Sequence, residues 1–193
     1  TLSGEGPSLV MRDYSGGHPS PDEQKALLDT LSAKLGGTGV SFYPGVSFRN
    51  ICVITGFQGT PDLKPPHDYA GSRVSEIWPT GPGADVIAEL QEKAQELLSS
   101  HPVNRERADK GKPPVNGVWF WGMGKAPSMP GFEQRHGKTG AVVTGVDLIR
   151  GLARLLGMEI MDVPGATGYV DTDYEGKARA VIEALGKVDF VFL

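Results

Sequence analysis

The pattern of apolar and polar residues divides the chain into helices and short strands. Helices are predicted at residues 21–35, 86–98, 103–110, 146–156 and 174–185. The first is the best marked, because Ser20 and Glu23 form a capping box around Pro21 and apolar residues recur on one face behind it. Short apolar runs predict strands at residues 9–12, 40–43, 50–55, 118–121, 141–144, 159–163 and 188–193.

The order of these elements predicts an α/β fold. From residue 141 onward, strands and helices alternate, which is the pattern of a parallel sheet. Up to about residue 80 the elements are mixed, and a break rich in proline and glycine follows at 79–83. We therefore predict an α+β unit over 1–80 and part of a parallel-sheet core over 81–193. The chain starts without Met and its last apolar run has no polar exit, so we expect an internal piece of a longer protein.

The stretch around residues 118–125 carries the strongest local signal. An aromatic run, Val118–Trp121, is too apolar for water and predicts a fully buried strand. It leads into Gly122, Gly124 and Lys125, where glycines let backbone N–H groups approach an anion and lysine adds a positive charge. The spacing matches neither a Walker loop nor a dinucleotide fingerprint. The sequence thus indicates an anion loop, with an ordinary turn at the end of a strand as the alternative.

Further candidate residues lie in loops and at helix starts. His67 and Asp68 follow two prolines, so a stiff loop could hold an acid beside an imidazole. Arg49 precedes an apolar strand and Arg105 lies on a polar helix, and both side chains suit phosphate or carboxylate. The alternatives are a turn whose aspartate caps local backbone, and ordinary surface arginines.

Lys177 lies one turn inside the last predicted helix. A capping box of Thr172 and Glu175 is predicted to start this helix, directly after the glycine-bearing turn 164–169. Such turns lie at the carboxyl edge of a parallel sheet, where ligands of open α/β sheets bind. Lys177 is therefore a candidate phosphate contact, and a solvated surface lysine is the alternative.

Composition narrows the function classes. A net charge of -4 and a pI near 5.6 argue against a general nucleic-acid surface. No apolar run approaches the roughly 20 residues that a membrane helix needs, and no signal peptide is visible, so we expect a soluble, cytoplasmic protein. The single cysteine, Cys52, cannot form an internal disulfide and reads as a buried apolar residue. The histidines are dispersed without metal-ligand spacing, and no G-x-S-x-G motif occurs.

Four motifs, taken in order, resemble a known family. These are PPHD, HPVN followed by R-x-R, WFWGMGK, and PGATGYVDTDYEGKA. Together they resemble the archaeal-type, cofactor-independent phosphoglycerate mutases and their relatives proposed to be homoserine kinases, within the alkaline phosphatase superfamily. The likeness runs through nearly the entire chain.

The resemblance implies a reaction of glycolysis, the interconversion of 3-phosphoglycerate and 2-phosphoglycerate through a phosphoserine intermediate. It implies a core with two divalent metal ions of the Mn or Mg type, no organic cofactor, and an inserted domain over the substrate, largely residues 1–80. The family's nucleophilic serine and metal ligands match no position here, so we expect this chain alone to be inactive.

Within the chain, the substrate contacts expected from the residues and the resemblance are Arg49, His67, Asp68, Arg105, Lys125 and Lys177. A homoserine kinase-like phosphotransferase and a non-catalytic ligand-binding piece stay open as alternatives.

Overall fold

In the computed structural model, helix α1 has the bounds that its capping box predicts, Pro21–Leu35. The Ser20 hydroxyl accepts a hydrogen bond from the Glu23 N–H at 3.3 Å, and the Glu23 carboxylate accepts one from the Ser20 N–H at 2.8 Å. The buried side of α1 carries Leu27, Leu28 and Leu31. Local capping chemistry and the apolar stripe therefore act together, as the sequence indicates.

The structure describes residues 1–37 and 39–193, which divide into two compact units, Thr1–Gly124 and Lys125–Leu193. Besides α1, the first unit contains strands β1 (Leu2–Ser3), β2 (Val10–Met11), β3 (Val40–Pro44) and β4 (Asn50–Ile54), and helices α2 (Val74–Ile77), α3 (Ala84–Ser99) and α4 (Pro102–Asp109). The predicted division near residue 80, between an inserted domain and a core, concerns the family's architecture and stays a prediction.

The first unit is organised around two apolar clusters. In one, leucines of α1 pack against Ala94 and Leu98 of α3, and Phe42 of the β3–β4 hairpin packs on the same cluster. In the other, Leu2 and Met11 pack with Val74 and Ile77. Strands β1 and β2 pair antiparallel, as do β3 and β4. Small sheets and side-chain packing, rather than one continuous sheet, thus build this unit.

The aromatic run 118–121 is not the fully buried strand that its composition predicts. It forms no β-ladder with any described residue, and Trp121 is 48% exposed. The side chains nevertheless alternate, since Val118 packs on the α1–α3 cluster and Trp119 packs on the cluster that contains Ile77. The prediction of a fully buried strand is therefore wrong, and the backbone N–H of Phe120 bonds to a side chain, that of Gln91, instead of a neighbouring strand.

The second unit contains the predicted parallel sheet. Its strands β5 (Gly140–Val143), β6 (Glu159–Met161) and β7 (Phe190–Phe192) run parallel in the order β6-β5-β7. Helix α6 (Asp147–Leu155) joins β5 to β6, and helix α7 (Tyr174–Leu185) joins β6 to β7. Every residue of the central strand β5 is buried. The α/β fold class is therefore confirmed, and a short helix α5 (Phe132–His136) is an element that the sequence did not predict.

Two local predictions need correction. Helix α7 is capped by Asp173, whose carboxylate accepts from the Gly176 N–H at 2.8 Å, and not by Thr172. The Thr172 hydroxyl instead accepts from the Thr167 N–H at 2.9 Å, inside the preceding turn. Cys52 is half-buried in β4 and not fully buried, although burial raises the pKa of its thiol to about 11. No helix in the described part of the chain is long and apolar enough to cross a membrane.

Candidate functional site

A continuous series of aromatic ring contacts lies on the surface of the first unit. Trp121 meets His67 with ring centroids 5.0 Å apart, and His67 meets Tyr14 at 6.1 Å. Tyr14 contacts Phe48 at 5.7 Å, and Phe48 contacts His18 at 5.4 Å. All of these pairs are edge-to-face, the geometry that aromatic quadrupoles favour. Four separate segments of the chain thus meet at one place, which we call the ring cluster.

Arg49 adds a fixed positive charge to the ring cluster. Its guanidinium carbon lies 4.7 Å from the centroid of the Phe48 ring, a cation–π contact. Both residues lie at the end of the β3–β4 hairpin loop, which α1 supports from behind. There the Gln24 amide donates to the Gly45 carbonyl at 3.2 Å and to the Asn50 side chain at 2.6 Å. The Arg49 side chain itself is exposed, so its fork is available to an anion.

His67 and Asp68 lie in a 3₁₀ turn, Pro66–Tyr69, as a stiff proline loop predicts. The His67 Nε2 lies 3.8 Å from the Asp68 carboxylate. This distance is too long for a hydrogen bond, but it permits an ion pair when the imidazole is protonated. The predicted pairing of acid and imidazole is therefore loose, and the ring contacts to Tyr14 and Trp121 position His67 instead.

The turn before α1 brings Tyr14 and His18 to the ring cluster. Asp13 holds the start of this turn, since its carboxylate accepts from the Ser15 N–H at 2.8 Å and from the Gly17 N–H at 2.6 Å. Partial burial raises the pKa of Asp13, but these hydrogen bonds outweigh it and leave the pKa lowered. His18 has φ +49°, a left-handed conformation that non-glycine residues rarely adopt. The surrounding structure must therefore fix this turn.

Arg107 of α4 fixes the turn that carries Tyr14 and His18 from inside the first unit. Its side chain is fully buried, and it donates to the carbonyls of Gly16 at 2.8 Å and Gly17 at 3.1 Å. It also donates to the Pro113 carbonyl at 2.8 Å and to the Glu23 carboxylate at 2.7 Å. Each of the three guanidinium nitrogens thus has an acceptor, which offsets the cost of burying the charge.

The remaining predicted residues have different surroundings. Arg105 is exposed on α4 and makes no hydrogen bond or ion pair with a described residue. Lys125 is exposed at the first position of the second unit, in a segment without regular secondary structure. Lys177 of α7 donates to the Thr167 carbonyl at 3.1 Å, so it ties the glycine-bearing turn to the helix. Of the predicted residues in the first unit, Arg49, His67 and Asp68 lie in or beside the ring cluster.

The second unit has a crevice at the carboxyl ends of β5 and β6, with a volume of about 430 Å³. Thr144, Gly145 and Asp147 line one side, and Val163 and Pro164 line the other. Arg150 of α6 reaches across it to the Asp162 carboxylate at 2.7 Å. The predicted position at the carboxyl edge of the sheet is therefore concave. Its arginine, which the sequence interpretation did not single out, already has a carboxylate partner.

Among residues 1–37 and 39–193, no group of three or more His, Cys, Asp and Glu side chains could hold a metal ion. The metal pair that the resemblance implies has no donor set in this part of the chain. The described residues alone therefore do not form a metal-binding part of a reaction site.

The ring cluster includes residues that sequence reasoning missed, namely Tyr14, His18, Phe48 and Trp121. A faint signal existed for His18, because the pair Gly16 and Gly17 directly before it marks a tight turn. Tyr14 and Phe48 carried no comparable signal. Their role depends on contacts between residues far apart along the chain.

Comparisons with known proteins identify the family. The family model of the 2,3-bisphosphoglycerate-independent phosphoglycerate mutases matches residues 1–104, more than half of the chain. The chain belongs to this family. The mutase of Methanosarcina barkeri is 44% identical over 184 residues, which cover 95% of this chain and 46% of that protein. The range matched by the family model includes Tyr14, His18, Phe48 and His67 of the ring cluster, and Trp121 lies beyond it.

Solved structures agree with this assignment. The cofactor-independent phosphoglycerate mutase of Thermoplasma acidophilum is similar with a TM-score of 0.54 and 30% identity, covering 94% of this chain and 52% of that one. A protein of Pyrococcus horikoshii is similar with a TM-score of 0.66 and 25% identity, covering 95% of this chain and 44% of that one. The chain spans about half the length of the curated relatives that it matches.

Proposed function

We propose that the whole protein is a cofactor-independent phosphoglycerate mutase that interconverts 3-phosphoglycerate and 2-phosphoglycerate. The relatives at 43–45% identity are named as such mutases, and the family model covers every residue of the ring cluster except Trp121. The homoserine kinase-like alternative receives no comparable support from these relatives. We expect a cytoplasmic location for such an enzyme.

In this proposal the ring cluster binds part of the substrate. A phosphoglycerate carries a phosphate and a carboxylate, so it needs cationic donors in two places. Arg49 offers a planar fork that suits either group, and the imidazoles of His18 and His67 can donate from neighbouring positions. The contact of Arg49 with Phe48 supports the proposal most strongly. It fixes a permanent charge beside the Phe48 ring, which contacts the His18 imidazole directly and is linked to His67 through Tyr14.

The reaction itself needs groups beyond the ring cluster. A mutase of this family transfers the phosphoryl group to an enzyme serine and returns it to the neighbouring hydroxyl of the glycerate. We place that serine and the metal ligands in the part of the family's length that this chain does not span. The 193-residue chain is therefore expected to bind the substrate without turning it over.

A coupled assay on the full-length protein tests the activity. Turnover of 3-phosphoglycerate without added bisphosphoglycerate supports the mutase. Phosphorylation of homoserine by ATP, with no mutase turnover, would replace it with the rival kinase-like activity. Turnover by the 193-residue chain supplied with manganese would contradict the expected division of catalytic groups.

The role of the ring cluster has its own test in the same full-length protein. Arg49→Gln removes the fixed charge, and we expect KM for 3-phosphoglycerate to rise about ten- to a hundredfold, the loss expected for a hydrogen bond to a charged group. Arg73→Gln is the matched control, since Arg73 is exposed, is not among the expected substrate contacts and makes no side-chain hydrogen bond with a described residue. Equal KM values for both variants would remove Arg49 from the substrate site.

A further inference from the structure

We propose that Gln91 of α3 is a positioning residue of the substrate site, because its buried amide holds the run 118–121 so that Trp121 meets His67. The inference rests on the proposed role of the ring cluster and deepens it. Gln91 is only 2% exposed, and its position on α3 lies between the buried residues Ile87 and Ala94. A glutamine in such a place needs partners, and the one it has belongs to the aromatic run.

The contact is a side-chain substitute for a strand partner. The Gln91 Oε1 accepts a hydrogen bond from the Phe120 N–H at 3.0 Å. In a β-sheet a carbonyl of the next strand would take this N–H, but the run 118–121 has no such neighbour in the described part of the chain. The Gln91 amide therefore fixes the backbone of the run at its centre.

A second hydrogen bond fixes Trp119, the residue just before Phe120. The Trp119 Nε1–H donates to the Lys64 carbonyl at 2.9 Å, and its ring lies 6.0 Å from that of Trp78. Trp121 lies two positions further along, so it faces the same side as Trp119 in an alternating segment. It contacts His67, three residues after Lys64. The aromatic run thus lies along the 64–67 segment, and Gln91 holds the run at its centre through the Phe120 N–H.

The other half of the Gln91 amide has no partner. The Nε2 is buried and makes no hydrogen bond with a described residue. Among the described residues, the amide therefore acts through its oxygen alone, and that oxygen bonds to the centre of the aromatic run.

The test compares Gln91→Met with Gln95→Met in the 193-residue chain. Gln95 lies one turn further along α3 and is half-buried, so the control receives the same substitution on the same helix. The first readout is the NMR resonance of the His67 ring protons, which the nearby Trp121 ring shifts. The second is the affinity for 3-phosphoglycerate by calorimetry.

We expect Gln91→Met to move the His67 resonances toward their random-coil positions and to weaken 3-phosphoglycerate binding about fivefold. Gln91→Glu retains an acceptor and should restore the His67 resonances, whereas Gln95→Met should change neither readout. Unchanged His67 resonances in a folded Gln91→Met chain would overturn the inference. If Gln91→Met does not fold, failure of Gln91→Glu to keep the wild-type His67 resonances overturns it.

The two proposals fail in different ways. If the wild-type chain shows no binding of 3-phosphoglycerate, the proposed role of the ring cluster is lost, while the His67 resonances still decide the role of Gln91. If the wild-type chain binds and the Gln91→Met chain binds equally well with shifted His67 resonances, Trp121 is not needed at the site and the positioning role is lost.

Discussion

The two units of this chain obtain their order in different ways. In the second unit, backbone ladders align β5 with both neighbouring strands, and the buried residues are mostly small and apolar. In the first unit, two short antiparallel ladders are supplemented by buried polar side chains, with Gln91, Asn104 and Arg107 each bonded to backbone groups within residues 113–120. The unit with the candidate substrate site therefore depends on side-chain hydrogen bonds, which single substitutions can remove.

Replacement of Arg107 should have the largest effect. Arg107→Met leaves the Glu23 carboxylate and several carbonyls without their donor, and we expect a loss of about 3–5 kcal/mol in the free energy of unfolding. Chemical denaturation followed by tryptophan fluorescence measures it, because all three tryptophans belong to the first unit. Arg105→Met, on the exposed side of the same helix, is the control and should change the stability by less than about 0.5 kcal/mol. Similar losses in both variants would refute the assigned role.

Truncation of the central strand should weaken the second unit by less. Val143 is 0% exposed, and Val143→Ala removes two methyl groups from β5, which should cost about 2 kcal/mol. Amide hydrogen exchange of β5 residues measures the local stability. Val170→Ala is the comparison, since Val170 is 91% exposed and its truncation should be almost neutral. Equal protection of β5 in both variants would show that the sheet does not depend on this packing.

Loss of the first helix cap comes next in size. Ser20→Ala removes the acceptor for the Glu23 N–H and should destabilise the first unit by about 1 kcal/mol. The same denaturation experiment applies, with Ser32→Ala as the matched control in the exposed interior of α1. A Ser20 variant as stable as the Ser32 variant would mean that the capping box contributes nothing here.

The smallest expected effect is a pH dependence at His101. This residue caps α4, because its Nδ1 accepts from the Val103 N–H at 3.2 Å while its Nε2 lies 3.0 Å from the Thr30 hydroxyl. Burial lowers the pKa of His101, so folding favours the neutral imidazole. The contribution of the neutral His101 cap to the stability of the first unit is fully present above the unfolded pKa of about 6.5. It is lost as the pH falls through the lowered pKa of the folded state.

Stability of the first unit, measured between pH 8 and pH 5, checks this titration. His101→Asn keeps a capping acceptor that does not titrate. The free energy of unfolding of the wild type should therefore fall relative to that of the variant as the pH is lowered. A difference that stays constant over this range would exclude the His101 cap as its source.

The sequence predicted the second unit more fully than the first. Periodicity placed α7 at its observed bounds and β5, α6, β6 and β7 within a few residues, because strand and helix periods are local properties. The ring cluster could be predicted only in part. Arg49 and His67 were found by residue type and loop chemistry, whereas Tyr14 and Phe48 belong to the cluster through contacts that no local pattern encodes. Arg105 stays a predicted substrate contact, and the structural role of Arg107 could not be predicted, because nothing in the R-x-R motif tells the buried arginine from the exposed one.

We propose above all that the ring cluster binds phosphoglycerate. An NMR titration of the 193-residue chain with 3-phosphoglycerate is the direct test of this binding. We expect saturable shifts of the His67 and His18 ring protons and of the Arg49 side chain, with the exposed Arg73 side chain unchanged. Saturable binding that leaves the His67, His18 and Arg49 signals in place, or no binding at all, would contradict it.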